Sequence, residues 1–294
     1  MLARAGDCTH IAAMTSRFSL PDWDTLATLD DDGLPLLASA LLIARDEYPQ
    51  LDAAGYDALA DEYVRELREQ IAALDSTPAQ LMAINRYLFD VLGFSGNHEH
   101  YYDPRNSYLN EVFDRKLGIP VSLAVVQMEV ARRLGIPLDG VSFPGHFLVR
   151  LPVDDGLMVM DPFNRGRPLA ADELRDRVCE HLGGEVPDDA QLLQILAPAS
   201  HRAILVRMLR NLKALYAKTE DWDRVVRTTD RVIRLMPNAV EELRDRGLAY
   251  LRLGWLPGAR EDLRRYLALQ PAAEDAELVR LALVEASAGR TWLN

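Results

Sequence analysis

GIPVSLAVVQMEVARRLGIPLDGVSFPGHFLVRLPVDDGLMVMDPFN, residues 118–164, sets the architecture that the rest of the chain must serve. Pro120 suits the first turn of a helix, where its missing N–H costs little. Val121, Leu123, Ala124, Val125, Val126, Met128, Val130, Ala131 and Leu134 then cover nearly the whole circumference, which predicts a helix buried inside a domain. Its polar positions line up, with Ser122, Glu129 and Arg133 at i, i+7 and i+11, and Glu129 and Arg133 have the spacing of a helical ion pair. Gly135-Ile136-Pro137 stops the helix. Val141 to Leu151 and Leu157 to Asp161 read as strands joined through Asp154-Asp155-Gly156. With Leu151 opposite Gly156, His146 falls directly opposite Asp161, where Cβ atoms are about 4.5–5.5 Å apart. A one-residue slip would separate the two faces.

That pairing makes His146 a candidate base and Asp161 its orienter, two of the three roles in a nucleophilic triad. The third role has no obvious holder. Ser122 is the hydroxyl on the buried helix, but a first-turn serine more often serves the helix end. Cys8 and Cys179 lie outside the segment, and Cys179 reads as a packed small hydrophobe on a helix. The His–Asp contact also has a purely structural reading, as an anchor for the junction of loop and strand.

Moving outward, the first hundred residues are mostly helical. Leu34 to Ala44 forms an apolar helix with Asp30, Asp31 or Asp32 available as its cap. Residues 55–74 carry Tyr56, Leu59, Tyr63, Leu67, Ile71 and Leu74 on one face. Thr77 and Pro78 begin a further helix that keeps its period through Leu81, Ile84, Leu88 and Val91. Residues 93–110, GFSGNHEHYYDPRNSYLN, read as a loop before a short helix at 108–117. His98, Glu99, His100 and Asp103 can be drawn as a metal site, yet so short a tract is usually solvated loop, and no metal or other cofactor is expected.

The combined motifs resemble a known family. Ala131-Arg132-Arg133-Leu134-Gly135-Ile136-Pro137, followed by a His strand and an Asp strand, resembles the transglutaminase-like (papain-like) core. Gly96-Asn97, Tyr102-Asp103-Pro104-Arg105-Asn106-Ser107-Tyr108-Leu109-Asn110, Gly118-Ile119-Pro120, Pro144-Gly145-His146-Phe147 and Asp161-Pro162-Phe163 are similar to the bacterial invasion-regulator B (Sir-B type) family. The resemblance spans roughly residues 30 to 270 and implies a transglutaminase-like domain joined to tetratricopeptide repeats. It also implies a cysteine in a Gly-x-Cys motif, with Ala four and Arg twelve residues later. Ala124 and Arg132 meet those offsets only if Pro120 occupies the cysteine position, and proline cannot attack a carbonyl. The resemblance thus leaves His146 and Asp161 as members of a remnant site. Ser122, about 200° further round the helix from Pro120, would not inherit the cysteine's aim.

From residue 201 the chain repeats itself every 34 residues: Tyr216 recurs as Tyr250, Trp222 as Leu256, Ile233 as Leu267, Leu235 as Leu269 and Pro237 as Pro271. That is the tetratricopeptide period. Gly247 and Ala259 fit its small-residue positions, whereas Lys213 and Val225 depart from them. Copies at about 206–239 and 240–273 need neighbours to cover their faces, which a helix at about 274–287 and the preceding domain would supply. Arg224, Arg227, Arg231 and Arg234, at i, i+3, i+7 and i+10, form a basic stripe on the first copy. It reads as a solvated face, as a surface for an acidic peptide partner, or as a dock for the chain's own acidic part.

The charge distribution sharpens that choice. The net charge is −12, yet residues 201–294 hold 17 Lys+Arg against 13 Asp+Glu and residues 1–200 hold 16 against 32. The acidic total argues against nucleic-acid binding. No apolar run approaches the ~18 residues of a membrane span, no secretory signal is evident, and two cysteines suit a reducing cytoplasm. The expected organisation is an α+β protein: a disordered extension over 1–17 with Met14 as an alternative start, a transglutaminase-like domain with a small antiparallel sheet over 18–200, and all-α repeats over 201–294. Two functions fit this pattern. One is a protein-binding or regulatory factor; the other is an amide hydrolase or acyl transferase using Ser122, His146 and Asp161.

Overall fold

A computed structural model describes residues 18–181 and 183–288. The expected extension, the start at Met14 and Cys8 lie outside the described residues. The protein is α+β, mostly helical with one small antiparallel sheet.

The N-terminal helices pack around the helix that begins at Pro120. Helix α1 (Trp23–Thr28) starts at Asp22, whose carboxylate accepts the Thr25 N–H at 2.7 Å. Helix α2 (Leu36–Arg45) is buried from Leu36 to Ala44. Asp30 and Asp31 do not cap it: Asp31–Gly33 close into a 3-10 turn, and Pro35, with no side-chain acceptor, takes the N-cap position. Helix α3 (Ala53–Ala72) turns Tyr63, Val64, Leu67 and Ile71 inward, while α4 (Thr77–Asn85) is capped by Ser76 rather than Thr77. The helical period breaks after α4. Residues Arg86–Val91 widen into a π turn just past Asn85, whose buried amide donates to the Gly166 carbonyl at 3.0 Å.

Strands β1 (Ser95–Gly96) and β2 (Leu117–Gly118) form a two-residue parallel pair, with α5 (Leu109–Arg115) between them in sequence. Helix α6 (Pro120–Arg133) follows and is buried from Pro120 to Ala131. The spacing that predicted an ion pair produces one, with Arg133 Nε 2.7 Å from Glu129. Arg133 also reaches Asp57 and Asp61 on α3 and so ties the central helix to the outer layer.

The sheet is a meander, β3 (Asp139–Val141), β4 (Leu148–Val153), β5 (Gly156–Asp161) and β6 (Arg167–Leu169). The long strand expected over 141–151 is instead a hairpin. Val141 pairs with Leu148, and Phe143-Pro144-Gly145 turns between them with Gly145 at φ +66°. Pro144 and Gly145 are turn residues, and their signal outweighs the apolar pattern around them. The register of β4 on β5 also differs by two residues: Val153 faces Gly156 and Val149 faces Met160. His146 therefore precedes β4 and does not sit across the ladder from Asp161. Helices α7 (Ala171–His181) and α8 (Asp189–Ile195) cover the sheet's other face through Leu174, Val178 and Leu192, with Cys179 half-buried.

The remainder is helical pairs, α9 (His201–Lys218) with α10 (Trp222–Leu235) and α11 (Val240–Arg252) with α12 (Leu256–Leu269), followed by α13 (Ala276–Ala288). The 34-residue period is visible in their bounds, since Trp222 and Leu256 open α10 and α12 and Leu235 and Leu269 end them. Ser200 caps α9, and the core continues across that point. Ile204, Leu205, Met208 and Leu212 on α9 belong to the same apolar cluster as Trp23, Leu41 and Val126. Arg202 bonds the Leu26, Leu29 and Leu235 carbonyls as well as Asp31, fastening the start of the repeats to the N-terminal helices.

Candidate functional site

The end of β5 places Asp161 at the start of a 3-10 turn, Pro162–Asn164. Its carboxylate is fully buried, at 0% exposure. One oxygen accepts the Phe163 N–H at 3.1 Å and His146 Nε2–H at 2.8 Å. The other accepts from Asn164 Nδ2 at 2.7 Å and Arg177 Nη1 at 3.3 Å. Burial pushes the Asp161 carboxyl up, but the bonds and charge of His146, with Asn164 and Arg177, outweigh it and hold the group down to about 2. Asp161 is thus an ionised, buried anchor of the kind that fixes an imidazole's orientation. Because the aspartate engages Nε2, Nδ1 is left as the ring nitrogen without a hydrogen bond among the described residues.

The structure therefore brings His146 and Asp161 together, though by a route the ladder does not provide. His146 approaches from the turn before β4. The turn, closed by the His146 N–H on the Phe143 carbonyl at 3.1 Å, carries the imidazole to the end of β5, so the contact forms outside the ladder. The imidazole is 21% exposed and lies edge-on to Phe163, with ring centres 6.1 Å apart. His98 packs on the same ring at 4.4 Å and Tyr101 at 5.7 Å. Behind the ring is Gly96, where a Cβ would stand 2.6 Å from Phe163. That glycine leaves room for the aromatic seat and brings β1 up to the site. Asp103 is engaged by Arg105 at 2.7 Å rather than by the histidines. Among the described residues no group of three or more His, Cys, Asp or Glu side chains gathers as a metal site would require.

Ser122 is placed elsewhere. Its Oγ is fully buried, accepts the Ile119 N–H at 3.0 Å and donates to the Asn106 carbonyl at 2.6 Å. These are helix-start duties, one being the reciprocal bond of a capping box. A serine nucleophile must instead give its proton to the base. Ser122 has no bond to His146. Pro120, at the first helical position, is buried beside it. The loop that closes over this helix end is held by buried amides: Asn97 Nδ2 donates to Asn106 Oδ1 at 3.0 Å, and Asn106 Nδ2 to the His100 carbonyl at 2.7 Å.

The Arg stripe faces the protein's own acidic helices. Arg224 lies 2.8 Å from Glu47, Arg227 also contacts Glu47, Arg231 is 3.1 Å from Asp46 and Arg234 is 2.5 Å from Asp24. Arg231 further covers the Trp23 ring at 4.9 Å. Of the three readings of the stripe, these contacts correspond to the intramolecular dock.

Several residues of the site escaped sequence reasoning. Asn164, three residues after Asp161, carries an Asx-turn signal that was legible in principle. Arg177 on α7 and Arg207 on α9, whose Nη2 donates to the His146 carbonyl at 2.7 Å, are distant in sequence and carried no local mark.

Comparison with known proteins matches the two-part organisation of the chain. The family model described as transglutaminase-like superfamily matches residues 55–210, and a tetratricopeptide repeat model matches residues 212–284. A "UPF0162 protein" of Xylella fastidiosa (strain 9a5c) is 64% identical over 274 residues, 93% of this chain and 98% of the relative. A "UPF0162 protein" of Pseudomonas aeruginosa is 33% identical over 80% of this chain and 84% of its own length. Human "F-box only protein 21" is 29% identical over 77% of this chain but only 35% of its own length. No solved structure matches the chain. The bacterial relatives carry the UPF0162 name rather than that of invasion regulator B. With the central helix, the His–Asp pair and the appended repeats all in place, the chain belongs to the transglutaminase-like superfamily, among the bacterial UPF0162 proteins.

Proposed function

We propose that the protein is a non-catalytic binding factor, a transglutaminase-like core that has lost its nucleophile and works as a regulatory or protein-interaction module with its repeats. The observation that carries this is the start of α6. Pro120 stands where a cysteine would be needed, and the hydroxyl on that helix, Ser122 Oγ, spends its bonds on the Ile119 amide and the Asn106 carbonyl. The His146–Asp161 pair then orients a base that has nothing to activate. Repeat pairs such as α9–α12 bind partners in other proteins through extended concave surfaces. The tetratricopeptide match supports a protein partner, and no described helix is long and apolar enough to cross a membrane. A regulatory role also fits the motif resemblance to invasion regulator B, and a cytoplasmic location fits the sparse cysteines.

The test is labelling of the full chain by a fluorophosphonate and by an activated acyl ester, followed by peptide mapping. The expected result is no adduct at Ser122 and no difference between the protein and its Ser122→Ala variant. Labelling that maps to Ser122 and disappears in the variant would establish the acyl-transfer alternative instead.

A further inference from the structure

The basic side chains of the repeats divide into those the chain neutralises itself and those it leaves. The stripe on α10 belongs to the first class. Arg207 and Lys218 on α9 belong to the second, since neither forms an ion pair among the described residues. They are eleven residues apart, which puts them on the same face of the helix and about 16 Å from each other along it.

Arg207 is an unusual place to leave a charge. It is half-buried, its guanidinium lies 5.8 Å from the centre of the Phe147 ring, and its bonded oxygen is the backbone carbonyl of His146. Burial pulls the guanidinium below its usual value, while the Tyr101 hydroxyl pulls it back up. A cation kept partly out of water without a counter-charge costs free energy. A carboxylate supplied from outside would remove that cost.

The opposite wall is aromatic. Lys218 Nζ lies 4.4 Å from the centre of the Tyr102 ring, and Tyr102 sits edge-on to Tyr101 at 5.3 Å. Both tyrosines are well exposed. The loop at 98–103 thus meets α9 at both ends of one strip, Tyr101 near Arg207 and Tyr102 beneath Lys218. Such rings offer apolar area with a polar tip, a common contact surface for peptide.

We propose that this strip binds an extended acidic peptide segment, with one carboxylate on Arg207 beside His146 and a second on Lys218. At about 3.3 Å per extended residue, the roughly 16 Å between the two backbone positions on α9 corresponds to acidic residues about five positions apart. The inference rests on the reading of the chain as a binding factor and names the chemistry of its partner.

The experiment is fluorescence anisotropy with the full chain and a labelled, end-blocked hexapeptide carrying Glu at its first and sixth positions and Ala or Ser between. The Glu peptide should bind at least about tenfold more tightly than its Gln counterpart, and Arg207→Gln should cost at least about tenfold. Lys218→Gln should cost about threefold, and Arg260→Gln, on α12, should change nothing. Lys218 is exposed, so its variant carries the test if Arg207→Gln lowers the melting temperature too far. Equal affinity for the two peptides, or unchanged affinity in both variants, would overturn the proposal. Mass spectrometry of the recovered peptide separates the two claims. A peptide that is cut or acylated but still requires Arg207 would remove the non-catalytic reading and support the carboxylate strip.

Discussion

Replacing Asp161 by Asn isolates the charge at the heart of the candidate site. The substitution keeps the shape of the side chain and removes its ability to ionise. In the folded protein the Asp161 carboxyl is held at about 2 against an ordinary 3.8. That difference corresponds to about 2 kcal/mol favouring the ionised form in the folded state. The group's folded value is depressed, so its contribution is complete well above pH 4 and is lost as pH falls toward 2, about half of it by about pH 3. Asp161→Asn should therefore cost at least about 2 kcal/mol at pH 7, about 4 °C in melting temperature for a chain of this size. At pH 3 the charge-dependent part of the penalty should shrink to about half. Arg177 does not become an uncompensated charge in the variant, because it keeps Glu173 at 2.8 Å, but the new NH2 must face donors that the carboxylate accepted, which adds a cost that does not change with pH. Differential scanning calorimetry of both proteins at pH 7, 5, 4 and 3 provides the comparison. The difference between them matters, since other carboxylates titrate in the same range. A penalty that is the same at pH 7 and pH 3, or no penalty at pH 7, would refute the argument that the Asp161 charge is held by His146 and its neighbours.

Ser122→Ala should destabilise the protein by about 1 kcal/mol in urea unfolding, because the Asn106 carbonyl and the Ile119 amide lose their bonds to Oγ and keep only the 3.4 Å bond to each other. Changing Arg224, Arg227 and Arg231 together to Gln should remove about 1–2 kcal/mol, the sum of several exposed or half-exposed ion pairs, and the loss should fall as salt is raised. Hydrogen exchange should then rise first in α10 and α1, and unchanged protection of both would contradict the assignment of the stripe as an intramolecular dock.

Much of this was legible because the physical signals were local. The all-round apolarity of α6 announced a buried helix, and the recurrence of Tyr216 as Tyr250 and Leu235 as Leu269 announced stacked helical pairs. The four arginines of α10 were legible as a stripe, but the carboxylates facing them, Asp24, Asp46 and Glu47, lie almost two hundred residues away. The hairpin at 139–153 was misread as a continuous strand because Phe143 and Phe147 keep the apolar pattern running through a turn that Pro144 and Gly145 impose. The expected contact between His146 and Asp161 nevertheless occurs, because the turn before β4 brings the imidazole to the end of β5 without a ladder pairing. The π turn after Asn85 carries no sequence mark of its own. It coincides with a buried amide whose partners, Gly166 and Gln127, come from two other elements.

The distribution of satisfied and unsatisfied groups separates the two halves of the site. On the side where a nucleophile would stand, Pro120 is buried, and Asn106, Asn97 and Ser122 bond one another or the backbone around the start of α6. None of those three polar side chains could reach a substrate without breaking buried hydrogen bonds, at about 1–3 kcal/mol each. On the other side, Nδ1 of His146, the Arg207 guanidinium and the exposed edges of Tyr101 and Tyr102 are left with bonding capacity. A protein under pressure only for stability gains nothing from an unpaired, half-buried arginine, whereas an apolar side chain of similar volume would pack there at lower cost. Arg207 also comes from the first repeat helix and touches the backbone of His146, so anything bound on it contacts core and repeats at once. That coupling gives a physical reason for the two parts to share one core across residue 200.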